Sequence, residues 1–326
     1  MAGLGKKLAA LRPDIVQTMT PIGWIALDAA WHKLRSGYQL FSGCHYHSSV
    51  FPLASPSAKH SATEKFRCML TRAIPGWLAS AATEKYYSIS PDCSDVATRF
   101  FGVPQKKIVL SPLGVDTELF YPVAQVSEAA ERESLRKKLG LAVSDIVCIY
   151  SGRFGEDKNP LLLAQAVAEL RRKGEPYRGL FVGCGTQGKA IQKCDGCLTH
   201  EFAPAWELGP LYRAADIGIW PTQESLSMLD AAACGLPIIA NHTMNVPERI
   251  EGNGLTYSLN NLDDLVRVLG ILSSWERRRE LGSVGASKMA RNFGWESIAS
   301  RRIADYELAL RFRGTFQDAT QHGSFQ

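Results

Sequence analysis

Arg153 and Lys158 are separated by four residues in Ser151-Gly-Arg-Phe-Gly-Glu-Asp-Lys-Asn-Pro160, directly after the strand-like run Asp145-Ile-Val-Cys-Ile-Tyr150. The segment leads into a helix: Asn159 can cap it, Pro160 suits its first turn and Gly174 stops it. A pyrophosphate placed there meets two cations and a helix N-terminus together. Arginine offers a fixed fork of donors and lysine a mobile point charge. Such a pair can stabilise a departing diphosphate without a metal ion. Taken alone, the pair is equally well explained as surface charge on a loop.

Two further strand-like runs end in loops of related character. Gly179-Leu-Phe-Val182 opens into Gly183-Cys-Gly-Thr-Gln-Gly188, and Asp216-Ile-Gly-Ile-Trp220 opens into Pro221-Thr-Gln-Glu-Ser-Leu-Ser-Met-Leu-Asp230. Ser225, Leu226 and Ser227 are expected to begin a helix, leaving backbone N–H groups free for a phosphate. A carboxylate at Asp230 can accept hydrogen bonds from both hydroxyls of a ribose. Its neighbours Met228, Leu229, Ala231 and Ala232 are apolar, and an acid in that setting needs a partner. In an open parallel α/β sheet ligands sit outside the carboxyl ends of the strands, so the three loops should converge on one cleft.

The elements that must position these loops alternate along the chain. Before the first loop, Asp14–Thr18, Tyr38–Ser42, Lys85–Ser90 and Lys107–Leu110 read as strands, with a helix over Ser94–Phe101. Ser111–Pro122 has no period and carries turn residues, as a connector does. A polar helix over Ser127–Leu139 follows. Leu161, Leu163, Ala164, Val167 and Leu170 form the buried stripe of the helix after Asn159, and a further helix runs from about Ser225 to Cys234 before Gly235. Trp295–Phe312 reads as an amphipathic helix and the tail after Gly314 as disordered. The 326 residues suffice for two domains, and 45% hydrophobic with 21% charged residues places the chain among ordinary globular proteins.

Arg153-x4-Lys158, the Gly183-Cys-Gly185 turn, Leu211–Thr222 and Glu224-Ser-Leu-Ser-Met-Leu-Asp-Ala-Ala-Ala-Cys-Gly-Leu-Pro237 together resemble the retaining family-4 glycosyltransferases. Ser111-Pro-Leu-Gly-Val-Asp-Thr-Glu-Leu-Phe-Tyr-Pro122 resembles that family's interdomain segment. The resemblance implies an α/β fold of GT-B architecture, two Rossmann-like domains with parallel sheets facing across a cleft. The domains are then 1–122 on the acceptor side and 123–294 for the nucleotide sugar. A C-terminal helix, 295–313, packs back towards the first domain, and 314–326 is a disordered tail. The activity implied is transfer of a sugar from a UDP-, GDP- or ADP-linked donor to a sugar or lipid-linked acceptor, in polysaccharide or glycoconjugate assembly, with no required cofactor or metal. By that resemblance Arg153 and Lys158 hold the diphosphate, Glu224 contacts the donor sugar and Asp230 holds the ribose. Gly152, Gly183, Gly185, Ser225, Leu226 and Ser227 complete the donor site, and His45 faces the transferred sugar. The leaving phosphate helps remove the acceptor's proton.

Two features depart from the family pattern. The family's acids are spaced Glu-x7-Glu, whereas five residues separate Glu224 from Asp230, and the second acid is shortened to Asp. Family members also open with a strand, a Gly-rich loop and a long helix, and this sequence starts later, around Leu8–Gln17. The first domain is therefore expected to be incomplete, with a partner chain supplying the missing unit, a truncated start or a non-catalytic nucleotide-sugar-binding remnant as the explanations.

Other classes fit less well. Gly183-Cys-Gly-Thr-Gln-Gly188 satisfies G-x-G-x-x-G, with Glu201 downstream, so an NAD-dependent oxidoreductase is a rival. That fingerprint normally opens its domain, whereas here another strand–helix unit precedes it. Cys194-Asp-Gly-Cys197 needs two more ligands to hold zinc, for which His200 is the near candidate and Cys184 a conceivable one, and a polar loop with incidental cysteines is the plainer reading. The net charge of +5 is scattered, without the basic stripe and interleaved aromatics of a nucleic-acid binder, and leaves room for weak peripheral attachment to an anionic inner membrane face. Eight cysteines without a disulfide spacing point to a cytoplasmic protein.

Overall fold

The computed structural model describes residues 3–48, 51–54, 61–244 and 247–322. The chain divides into two compact units, Met1–Leu113 with Ile298–Gln326, and Gly114–Ser297. The boundary falls nine residues before the expected one at 122. Val115 donates its amide to the Phe293 carbonyl (2.8 Å) and pairs with Gly294, while Val115 and Phe120 are buried in the second unit's core. Most of the segment read as a connector is thus part of the second unit.

The first unit is built from α1 (Leu4–Leu11), β1 (Ile15–Thr18), α2 (Trp24–Ser36), β2 (Gln39–Cys44), α3 (Ala62–Cys68), α4 (Ile74–Ala82), β3 (Thr83–Ser88), α5 (Pro91–Phe101) and β4 (Ile108–Leu110). Its four strands form one parallel sheet in the order β1-β2-β3-β4, so β1 is an edge strand. Local chemistry sets the element ends. Ser90 accepts the Cys93 amide, Pro91 opens α5, and Gly102 closes it in the left-handed region. α2 leaves Trp24, Trp31 and Leu34 exposed, and α4 leaves Trp77 and Leu78 exposed.

The second unit holds α6 (Val126–Lys138), β5 (Ile146–Ser151), α7 (Pro160–Arg172), β6 (Tyr177–Val182), α8 (Gly188–Gln192), β7 (Cys197–His200), α9 (Ala205–Ala214), β8 (Ile217–Trp220), α10 (Ser227–Ala233), β9 (Ile238–Asn241), α11 (Pro247–Ile250), β10 (Gly254–Tyr257), α12 (Leu262–Ile271) and α13 (Trp275–Lys288). Its six strands are all parallel, in the order β10-β9-β8-β5-β6-β7. This is a doubly wound arrangement, and the order reverses between β5 and β8. Every residue of β5 is buried, as a central strand covered on both faces requires.

α14 (Trp295–His322) returns to the first unit. There Asp305 pairs with Lys85 (2.5 Å) and accepts from the Tyr87 hydroxyl (3.1 Å), and Tyr306 packs edge-on against Phe41. The helix runs on through the expected tail to His322, and 323–326 lie outside the described residues. No described helix is long and apolar enough to cross a membrane.

Candidate functional site

The three loops named from sequence follow β5, β6 and β8, at the strands' carboxyl ends on either side of the point where strand order reverses. They line a cavity of about 470 Å³ whose walls include Gly152, Arg153, Gly183, Cys184, Ser225 and Ser227. Phe202, Ala203 and Leu208, which sequence reasoning did not single out, close another side. They come from β7's exit and from α9, and as plain apolar side chains they carry no chemistry that a sequence motif reports.

Both cations are available at this end of the sheet. Arg153 is exposed and paired with Asp157 at 2.7 Å, one turn along. Lys158 Nζ donates to the main-chain carbonyl of Glu224 at 3.4 Å, bridging the loops after β5 and β8. Asn159 does not cap α7 as expected. It adopts φ 47°, its side chain makes no capping bond, and it donates instead to Asn260 Oδ1 (3.4 Å). Gln187 Oε1 takes over, accepting the Leu161 amide at 3.1 Å from the loop after β6.

The glycines bring the loops together. At Gly183 (φ +137°) a Cβ would lie 2.1 Å from the Gly152 carbonyl oxygen, and at Gly185 (φ +152°) 2.6 Å from that of Phe154. Both positions therefore demand glycine on steric and backbone grounds. The amides of Gly152 and Gly183 are already bonded to the carbonyls of Val182 (3.0 Å) and His200 (2.9 Å). These two glycines contribute close approach, and their N–H groups are occupied.

The loop after β8 is fixed by buried polar groups. Asn241 donates to the carbonyls of Pro221 (2.9 Å) and Thr222 (3.0 Å), the Tyr257 hydroxyl donates to Pro221 (2.8 Å), and Arg249 donates to Ser225 (3.1 Å). Trp220 Nε1 reaches Ser227 Oγ (3.1 Å) and Ser151 shares a hydrogen with the Tyr212 hydroxyl (2.5 Å). α10 starts at Ser227, two residues later than expected, because Ser225 and Leu226 sit in a preceding turn in which Ser225 Oγ accepts the Ser227 amide (3.4 Å). Asp230 lies in α10, mostly buried. Burial first, and the Asp116 carboxylate second, push its pKa up to about 7. Glu224 is half-buried.

His45 follows β2 in the first unit. Burial, then Arg302 and His47, hold its pKa below the usual histidine value, so its ring stays neutral at pH 7. Nearby, Asp92 accepts from the Ser48 amide (2.9 Å) and meets His47 Nδ1 at 3.1 Å, with Cys93 close by. Cys194 and Cys197 do not form a cluster with His200 or Cys184 among the described residues. Cys194, Asp195 and Gly196 lie in the turn between α8 and β7, in keeping with the polar loop expected, and Cys197 begins the edge strand β7, where burial raises its thiol pKa to about 12.

The G-x-G-x-x-G segment follows β6, one strand away from the reversal, whereas a dinucleotide fingerprint follows the first strand at the reversal itself. Two parallel α/β units with this second-unit order define the GT-B class, and solved structures agree. A glycosyltransferase from Rickettsia africae superposes with a TM-score of 0.71 at 16% identity, over 94% of this chain and 79% of that one. HepE of Anabaena, solved with UDP, superposes with a TM-score of 0.70 at 15% identity, over 93% and 81%. Residues 145–273 match the family described as glycosyl transferases group 1, and residues 1–119 match glycosyltransferase family 4. The chain belongs to the family-4 glycosyltransferases. Among its curated relatives is a D-inositol 3-phosphate glycosyltransferase of Xylanimonas cellulosilytica, 28% identical over 72% of this chain and 59% of the relative. The chain spans between 50% and 59% of the length of the first three such relatives.

Proposed function

We propose that this chain transfers a sugar from a nucleoside-diphosphate sugar to an acceptor hydroxyl with retention of anomeric configuration, as a step in polysaccharide or glycoconjugate assembly. The observation that carries the reading is the cavity at the strand-order reversal, which gathers Arg153, Gly152, Gly183, Ser225 and Ser227 from three separate loops. Lys158 reaches the same loop pair through its bond to Glu224. These groups lie where a doubly wound sheet takes its ligand, which supports an anion-binding role for them.

Arg153 and Lys158 receive the diphosphate and oppose the negative charge that grows as it departs. The bond between the anomeric carbon and the phosphate oxygen breaks, and the acceptor oxygen bonds to that carbon on the same face. The acceptor's proton passes to the leaving phosphate, so the reaction requires no protein carboxylate pair of the glycosidase kind and no metal. Asp230 holds the ribose hydroxyls, Glu224 contacts the donor sugar, and His45 serves the sugar as a neutral imidazole. A donor-nucleotide site is also in keeping with the UDP found in HepE.

The test is incubation with UDP-, GDP- and ADP-glucose, following release of nucleotide and the anomeric proton of the product by NMR. Release from one donor with an α-configured product, lost in Lys158→Ala, supports the reading. Failure of all three donors, and of the corresponding GlcNAc and mannose donors, with the protein folded, overturns it.

A further inference from the structure

A second cavity, of about 590 Å³, lies at the opposite end of the same unit, where the chain enters β8 and β9. It is bounded by α6, α9, the turn at Gly235 and α13. Four guanidinium groups line it, those of Arg132, Arg213, Arg278 and Arg279, against one carboxylate, that of Asp216. Asp216 is already paired twice, with Arg132 at 2.6 Å and with the buried Arg136 at 3.2 Å. Arg213 is buried, stacked on Tyr121 and bonded to the Leu119 carbonyl, and Arg278 bonds the carbonyls of Leu272 and Ser273. Carbonyl partners satisfy donors but leave the positive charge in place. Arg279 is exposed, rests over the Trp275 ring at 5.2 Å, and has no carboxylate partner among the described residues.

Two further carboxylates lie near the arginines without forming an ion pair with them among the described residues: Glu128, close to Arg213, accepts the amides of Ala124 and Gln125, and Glu276, close to Arg278, accepts the Ser274 hydroxyl. Like charges converging on a concave surface oppose one another unless an anion enters. Arginine forks match phosphate oxygens, and the exposed Trp275 ring offers a stacking face.

We infer that this cavity is a second anion site, which takes a phosphate or pyrophosphate group independently of the donor loops. The group belongs either to a soluble phosphorylated metabolite or to the headgroup of an anionic lipid. The site does not depend on the glycosyl-transfer reading, since it shares no residue with the loops after β5, β6 and β8.

The test is calorimetric titration of inorganic pyrophosphate into the full chain carrying Arg153→Ala and Lys158→Ala, so that the donor loops are disabled. Binding should persist there, weaken by about tenfold or more when Arg279→Ala is added, and recover in part with Arg279→Lys. Arg279 is a surface side chain, so its replacement leaves the fold intact. Co-sedimentation with phosphatidylglycerol vesicles, absent with phosphatidylcholine and lost in Arg279→Ala, assigns the headgroup as source. Pyrophosphate binding without sedimentation assigns the soluble ligand. Loss of all pyrophosphate binding in the donor-loop variant, or indifference to Arg279→Ala, overturns the site.

Discussion

Lys158 Nζ donates to the main-chain carbonyl oxygen of Glu224 across 3.4 Å, so one flexible cation spans the two loops on either side of the strand-order reversal. A contact that long holds little energy. Lys158→Ala should therefore leave Tm within a degree or two, yet weaken nucleoside-diphosphate binding by about tenfold or more, the worth of a charged hydrogen bond. Calorimetry beside a melting curve separates the two effects. A large fall in Tm with unchanged affinity would make Lys158 a structural tie.

Arg153 waits on Asp157 in an exposed pair, 2.7 Å apart. Pairs of this kind contribute about 0.3–0.5 kcal/mol, so an incoming diphosphate displaces the carboxylate at small cost. Asp157→Asn should tighten diphosphate binding by a few-fold and lessen electrostatic repulsion at the site, most visibly at low salt. Weaker binding in the variant would show that Asp157 positions Arg153 instead of competing for it.

Asp230 gives a pH dependence with a defined sign. Its folded pKa, about 7, lies above the ordinary aspartate value of 3.8. Between those values the folded state holds more protons than the unfolded state, so stability falls as pH rises through this window and is level above it. Asp230→Asn should gain stability relative to wild type as pH climbs from 4 to 7. A carboxylate that accepts ribose hydroxyls binds them in its ionised form, so nucleotide affinity should rise from pH 6 to pH 8, by up to about tenfold per pH unit below the pKa. Affinity that stays flat across this range, with a stability shift as described, would remove Asp230 from the ribose.

Gly183 and Gly174 make a matched pair for the packing of the loops. Both have positive φ, +137° and +84°, but a Cβ on Gly183 meets the Gly152 carbonyl at 2.1 Å whereas nothing lies within 4 Å of one on Gly174. Gly174→Ala should cost about 1 kcal/mol in urea denaturation, from backbone strain alone. Gly183→Ala should cost more than about 2 kcal/mol and reduce diphosphate binding as well, because the loop after β5 must move. Equal costs at the two positions would contradict the close-approach argument.

The parts legible in the sequence were those whose signal is local. β5, β6 and β8 could be read because apolar runs end in glycine or polar loops, and Arg153, Lys158 and Asp230 stood out as charges in specific positions. β7, β9 and β10 were not read as strands: Cys197–His200 lies at a sheet edge with every residue only half-buried, and four-residue strands carry little period. The division between the units falls before Val115 because Val115 pairs with Phe293 and Gly294, almost 180 residues away, which no local pattern reports. For the same reason the groups that brace the β8 loop, Asn241, Arg249 and Tyr257, were invisible. Each looks unremarkable in sequence and acts through a carbonyl that only the fold brings near. The cap of α7 failed similarly: Asn159 has the right type and position, but Gln187 from the neighbouring loop holds the helix end.

The measurement that bears most directly on the account is a thermal-shift panel of UDP, GDP, ADP and NAD on wild type and on Arg153→Ala/Lys158→Ala. At a hundredfold its dissociation constant a ligand stabilises by about 2.7 kcal/mol, a rise of several degrees in Tm. The account predicts that one diphosphate raises the Tm of the wild type above the other two, that NAD does not, and that the double variant loses this selectivity, keeping only the response common to all three that the second anion site supplies. A cooperative melt with no response selective for one diphosphate, or a selective response that survives in the double variant, would contradict it.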